Sequence, residues 1–139
     1  MIPLGSFSKK NSCQASFQMP GTLESGSRAE QFAAEYLSQA GYRIIHRNWY
    51  YLHKEIDIVA VKNNTLIIVE IKSRINKDVP AEDLITTRKM RFIVDAAEAY
   101  MEKYGIRKEV QFDIIIVTFG EGKLEIEHIE NAFVPGVNW

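Results

Sequence analysis

The sequence contains a single cysteine, Cys13, and no apolar run close to the roughly 20 residues that a bilayer-spanning helix needs. One cysteine excludes both an intramolecular disulfide and a thiolate metal cluster. The N-terminal residues contain two lysines but no apolar segment of the kind that marks a secretory signal. These features predict a cytoplasmic protein without a membrane segment.

The charge is nearly balanced overall but unevenly distributed. The chain has 17 Lys and Arg against 18 Asp and Glu, a net charge of -1. Residues 1–91 carry 13 basic against 9 acidic side chains, a net charge of +4, whereas residues 92–139 carry 4 against 9, a net charge of -5. A basic first part is compatible with a nucleic-acid-binding face, and equally with an ordinary solvated surface.

The hydrophobic pattern predicts one folded domain at residues 26–130, a flexible N-terminal extension at 1–25 and a C-terminal tail at 131–139. Its elements alternate in type as helix, three strands, helix and two strands, which predicts an α/β domain with helices packed on a central sheet. The predicted helices run from Ser27 to about Ala40 and from Glu82 to Tyr104, and the strands are Tyr42–His46, Glu55–Val61, Thr65–Lys72, Val110–Phe119 and Lys123–Ile129, with Arg47–Lys54 as a loop or an irregular strand.

Two of these strands form a predicted hairpin around the turn at 63–64, because asparagine tolerates the positive φ of two-residue turns. The resulting register places Asp57 directly opposite Glu70, and Glu55 opposite Lys72. Two facing carboxylates destabilise a sheet unless something offsets their charge, and Mg²⁺ is commonly held by such a pair. Lys72 lies on the same face, so the group has the composition that metal-assisted phosphodiester hydrolysis requires.

Other interpretations of these residues remain open at this point. Glu55 and Lys72 are also suited to a plain cross-strand ion pair, and Asp57 and Glu70 to a solvated sheet end. Glu30 lies three residues after Ser27, which is the Ser-x-x-Glu spacing of a helix capping box.

An ordered series of short motifs covers about two-thirds of the chain. The motifs are Ala29–Leu37, Gly41–Ile45, Arg47–Trp49, Glu55–Ala60, Val69–Arg74, Thr86 with Lys89, and Gln111–Asp113. In this order, residues 27–119 resemble the YraN-like family of small bacterial proteins, part of the PD-(D/E)XK, restriction-endonuclease-like nuclease superfamily. The family usually has glycine where this chain has Ala29 and Lys54, and more often threonine at Ser73.

The resemblance implies a restriction-endonuclease-like αβββαβ core, with a central mixed β-sheet flanked by helices. It also implies a catalytic set of Asp57, Glu70 and Lys72, with Glu30 supporting the site from the first helix. Mg²⁺ or Mn²⁺ is expected on Asp57, Glu70 and the Ile71 carbonyl, and the expected activity is endonuclease-like hydrolysis by a metal-activated water.

Nucleic acid is the expected partner, DNA rather than RNA, and analogy with junction resolvases adds a homodimer. The residues expected to contact it are Arg43, Arg47, Lys54, Arg74, Thr86, Arg88 and Lys89. The aromatic run 49–51 either stacks on bases or, as the pattern favours, forms an edge of the core. The rival functions are a nucleic-acid-binding module that cleaves nothing and a dimeric structural protein.

Overall fold

Six strands, two α-helices and one short 3-10 helix make up the computed structural model of this chain, which describes residues 10–16 and 22–136. The elements are β1 (Lys10–Ser16), α1 (Thr22–Gln39), β2 (Arg43–Tyr51), β3 (Lys54–Lys62), β4 (Thr65–Ile75), the 3-10 helix (Ala81–Asp83), α2 (Thr87–Tyr104), β5 (Glu109–Gly120) and β6 (Lys123–Phe133).

The strands form one mixed sheet in the order β1-β6-β5-β4-β3-β2. The central strands β4 and β5 are parallel, and every other neighbouring pair is antiparallel. The connection between β4 and β5 contains α2, as a parallel crossover requires. The predicted α/β class and restriction-endonuclease-like fold are confirmed.

A separate hydrophobic core fills each face of the sheet. In β4, Leu66 and Ile68 belong to the core under α2, whereas Ile67 and Val69 belong to the core under α1. This division follows from the alternation of side chains along a strand. Neither of the two described helices has the length and apolar character needed to cross a bilayer.

The first helix begins earlier than the sequence pattern predicted. It starts at Thr22 instead of Ser27, so Ser27 and Glu30 lie inside α1 and do not form a capping box at its start. The segment predicted as a flexible extension lies partly outside the described residues. Its described part includes β1, which pairs with β6, and the boundary predicted near residue 25 falls within α1.

The second helix and the last strand also differ from their predicted bounds. Residues 82–86 are not α-helical, because α2 begins after Thr86, whose hydroxyl accepts a hydrogen bond from the Lys89 N–H at 3.1 Å. Strand β6 continues to Phe133, whose ring stacks on Phe112 with centroids 5.0 Å apart. The first residues of the predicted tail therefore pack into the domain's own core.

Candidate metal centre at the open end of the β3–β4 hairpin

The β3–β4 hairpin is regular near its turn and changes toward its open end. Val61 faces Leu66 and the ladder continues in the predicted register to the pair of Ile58 and Val69. Beyond that pair, the Ile71 N–H donates a hydrogen bond to Asp57 Oδ2 at 2.8 Å. A side-chain carboxylate here takes the N–H of the neighbouring strand, and the backbone ladder stops at the site.

Strand β3 also loses its strict alternation around Asp57. Ile56 and Val59 are three residues apart, yet both belong to the core under α2. A regular strand would place them on opposite faces. On the facing strand β2, Asn48 has a positive φ of 52° and its side chain donates a hydrogen bond to Glu30 of α1. These irregularities bring α1 and β3 together at one point.

Four carboxylates meet at this point. Asp57 and Glu70 are in hydrogen-bonding contact, and Glu70 is only 3% exposed. Carboxylate oxygens of Glu30, Glu55 and Asp57 all lie within 4.8 Å of one another. The two carboxylates predicted to face each other are therefore adjacent, and the acid of the first helix reaches them.

Burial and the repulsion among these acids raise the pKa of several of them. Burial, followed by the adjacent Glu70 carboxylate, raises the pKa of Asp57 to about 8. Burial and the Asp57 charge raise the pKa of both Glu30 and Glu55 above the ordinary value. Because its pKa is raised, Asp57 keeps its proton at neutral pH when no cation is present, which relieves the repulsion among the acids.

Two lysines face the buried end of the cluster. Lys72 Nζ lies 3.4 Å and Lys89 Nζ lies 3.5 Å from the same atom, Glu70 Oε2. Lys72 therefore pairs with its neighbour on β4 rather than with Glu55. Lys89, predicted as a phosphate contact, reaches the acids because Thr86 caps α2 and fixes its first turn beside β4.

The residues present are a good match for Mg²⁺ or Mn²⁺. The converging groups are carboxylates, and oxygen ligands are those that hard divalent cations prefer. An ion held by Asp57 and Glu70 would take the place of the proton that Asp57 retains. Ile71, the third predicted ligand, lies between Glu70 and Lys72 and its N–H is already bonded to Asp57.

One predicted nucleic-acid contact is engaged inside the protein. The Arg74 side chain is 7% exposed, with its Nη2 atom 3.4 Å from Glu127 Oε1. Its Nε donates to the Thr118 hydroxyl at 3.1 Å and its Nη1 donates to the Val79 carbonyl. These contacts hold the Arg74 guanidinium within the protein, so its predicted role in nucleic-acid binding stays a prediction that would require them to be exchanged for a phosphate.

The other predicted contacts are spread over the surface. Arg88 lies in the first turn of α2 beside Lys89, and Arg47 donates to Gln31 at 3.0 Å on the side of α1. Lys54 is paired with Asp95 at 3.2 Å, and its side chain is 15% exposed. Arg43 pairs with Val61 near the hairpin turn, at the opposite end of β3 from the acids.

The structure adds two groups to the site that the sequence pattern did not assign to it. Glu55 joins the acid cluster, and the Tyr50 hydroxyl contacts the Glu55 carboxylate. The signal for Glu55 was its position two residues before Asp57, which places both on one side of a strand. Tyr50 carried no such signal, because its contact depends on the pairing of β2 with β3.

The aromatic run on β2 divides between two roles. Trp49 packs edge-on against Tyr100 with ring centroids 5.1 Å apart and is part of the core edge, as the pattern favoured. Tyr50 is 63% exposed and Tyr51 is 38% exposed. Only the first residue of the run is therefore a core residue.

The mixed sheet, the helix on each face and the acids at the open hairpin end define an α/β protein of restriction-endonuclease-like fold. The model of the family described as "Uncharacterised protein family UPF0102" matches residues 29–117. This chain belongs to the UPF0102 family, which is the YraN family that the motifs indicated.

Individual relatives match nearly their whole length. A UPF0102 protein of Phocaeicola vulgatus is 43% identical over 115 residues, which cover 82% of this chain and 95% of that protein. A UPF0102 protein of Bacteroides fragilis is 45% identical over 111 residues, covering 79% and 92%. A UPF0102 protein of Chlorobium chlorochromatii is 40% identical over 119 residues, covering 81% and 92%.

Proposed function

We propose that this protein is a metal-dependent nuclease that hydrolyses phosphodiester bonds of nucleic acid, with DNA favoured over RNA. The observation that carries the proposal is the contact between Asp57 and the buried Glu70, which share one site with two further acids and two lysines. Like charges placed together around one buried carboxylate destabilise a fold unless something offsets them, and this supports a cation-binding role for the cluster.

Asp57 and Glu70 would hold Mg²⁺ or Mn²⁺ together with the Ile71 carbonyl, and Glu30 and Glu55 would support the more exposed side. A divalent cation supplies polarisation of the phosphate and a lower pKa for an attacking water. The Ile71 N–H keeps Asp57 oriented in the site. Lys72 Nζ lies 3.4 Å from Glu70 Oε2, and with substrate bound its ammonium would be available to orient the attacking water and to stabilise negative charge on the phosphate.

The test is a cleavage assay with purified protein on single-stranded, duplex and branched DNA and on RNA, with Mg²⁺ or Mn²⁺. Asp57→Asn, Glu70→Gln and Lys72→Ala should each reduce turnover about a hundredfold or more while retaining most nucleic-acid affinity. Arg107→Ala, at an exposed position after α2, is the matched control and should cleave normally.

The outcomes separate the candidate functions. Binding of nucleic acid without cleavage of any substrate would contradict the nuclease and favour a binding module. Absence of both, together with a stable dimer that the three substitutions disrupt, would favour an interface role for the acid cluster.

A further inference from the structure

Tyr50 connects the acid cluster to a groove along the edge of the sheet. It pairs with Glu55 across the β2–β3 ladder, so the two side chains lie on the same face. The phenol hydroxyl contacts the Glu55 carboxylate, and the proximity of that charge raises the pKa of Tyr50. The hydroxyl end of Tyr50 thus lies beside the candidate metal centre.

The ring itself remains available. Tyr50 is 63% exposed, and among the side chains of residues 27–136 no other ring and no cation is stacked on it. The neighbouring Leu52, at the tip of the β2–β3 turn, is 76% exposed. Tyr50 and Leu52 therefore leave large apolar surfaces in contact with water, and each loses the stabilisation that burial would give. Such exposed apolar surface is common where a protein binds a partner.

The groove next to Tyr50 has a volume of about 530 Å³, large enough for a small organic group. It is lined by β2 and its turn on one side and by α2 on the other, with the residues Trp49, Tyr50, Tyr51, Leu52, Ala99, Glu102 and Lys103. The charges of Glu102 and Lys103 cancel, so the groove has no net positive charge with which to bind a phosphate. Its aromatic and aliphatic lining suits a planar apolar group.

We propose that Tyr50 stacks on an unpaired base adjacent to the scissile phosphate, so that the substrate is a single-stranded or locally unpaired nucleic acid. This inference rests on the proposed nuclease function, which places the phosphate at the acid cluster. Bases inside a duplex already have both faces covered by neighbouring base pairs. A protein ring can therefore stack only on a base that is unpaired, terminal or flipped out.

The inference is tested by binding measurements with the full chain in Ca²⁺, using an oligonucleotide of about twelve nucleotides that carries the fluorescent base 2-aminopurine, and its duplex. Tyr50→Ala should weaken single-strand binding about tenfold and remove the fluorescence quenching caused by stacking, with less than about a twofold change for the duplex. Tyr50→Phe keeps the ring and should bind and quench like the unaltered protein. Tyr104→Ala removes a tyrosine that is 45% exposed outside this groove and should leave both readouts unchanged.

The possible results distinguish the two proposals. Equal losses for single strand and duplex in Tyr50→Ala, or no loss for either, would overturn the stacking role. A changed oligomeric state in Tyr50→Ala with unchanged binding would also overturn it and assign the groove to contacts between copies of the chain. Cleavage without a Tyr50 effect contradicts the stacking site alone, whereas ring-dependent binding without any cleavage contradicts the nuclease.

Discussion

Asp113 and Asp57 are two acids of the same sheet whose surroundings differ in kind. Asp113 is fully buried, and its Oδ1 accepts hydrogen bonds from the Asn131 N–H at 3.0 Å and the Gln111 amide at 2.9 Å. Its Oδ2 lies 2.7 Å from His128 Nε2. Three hydrogen-bonding contacts therefore surround this carboxylate.

Asp57 has fewer hydrogen-bond donors than acceptors around it. It accepts one hydrogen bond from the Ile71 N–H, while its other close neighbours include the carboxylates of Glu70, Glu30 and Glu55. Burial of an acid is therefore not what distinguishes a candidate site in this protein, because Asp113 is fully buried whereas Asp57 is only partly buried. The distinguishing feature is an excess of acceptors over donors, which an added cation can correct and a protein donor does not.

The largest effect on stability is expected from substitution of Asp113, the acid whose hydrogen-bonding partners are present in the fold. Asp113→Ala leaves the His128 ring and the Asn131 N–H without their partner in the interior, so it should lower the free energy of unfolding by about 3 kcal/mol. Urea unfolding measures the change. Glu121→Ala, in the exposed β5–β6 turn, is the control. A change below about 1 kcal/mol would show that the Asp113 network does not stabilise the fold.

Substitution of Asp57 by an uncharged residue should instead raise the free energy of unfolding. The pKa of Asp57 is about 8 in the folded protein against 3.8 for an ordinary aspartate, so the folded state retains a proton that the unfolded state loses as pH rises. The stability of the unaltered protein should therefore fall between about pH 4 and pH 8. Asp57→Asn should be more stable than the unaltered protein by about 2 kcal/mol at pH 8, with little difference near pH 4.

Urea unfolding at the two pH values, without divalent cations, checks this prediction. A variant that is less stable than the unaltered protein at pH 8 would contradict the like-charge account of the site.

A third effect follows from competition between the proton on Asp57 and a divalent cation for the same carboxylate. Below the pKa of Asp57, Mg²⁺ must displace a proton to bind, so its affinity should fall about tenfold for each pH unit between about pH 7 and pH 6. Calorimetric titration in two buffers of different ionisation enthalpy measures both the affinity and the released proton. Binding that is independent of pH and of buffer would show that the ion does not use Asp57.

The smallest effect concerns the surface around the site. Arg88 lies in the first turn of α2 next to Lys89, so Arg88→Ala should weaken nucleic-acid binding a few-fold and reduce the slope of log affinity against log salt by about 1. Arg107→Ala, at the end of the sheet where the β3–β4 turn lies, should change neither quantity. Equal effects of both substitutions would mean that binding is not centred on the acids.

The hairpin register could be predicted from sequence because it depends on local geometry. Asn63 and Asn64 both adopt positive φ, 52° and 60°, and a two-residue turn fixes every later pair. The same rule placed Asp57 near Glu70. It could not show that the ladder ends at the pair of Ile58 and Val69, before the predicted pairs of Asp57 with Glu70 and Glu55 with Lys72, because that break depends on a side chain taking the place of a backbone group.

Contacts between distant parts of the chain were harder to predict. His128 Nδ1 lies 2.9 Å from the Tyr36 hydroxyl, 92 residues away in sequence, and no local pattern indicates that pairing. The capping explanation of Glu30 was wrong because α1 extends further toward the N-terminus than its apolar period. The contacts of Arg74 inside the protein could not be predicted, since its partners, Thr118 and Glu127, come from later strands.

The most direct measurement is the position of Mn²⁺ in crystals of this protein, located by its anomalous scattering. We predict an ion within coordination distance of carboxylate oxygens of both Asp57 and Glu70, and no ion at the Asp113 network. Manganese bound only elsewhere on the chain would contradict the proposed metal centre. So would crystals soaked to full Mn²⁺ saturation that show no ion between Asp57 and Glu70.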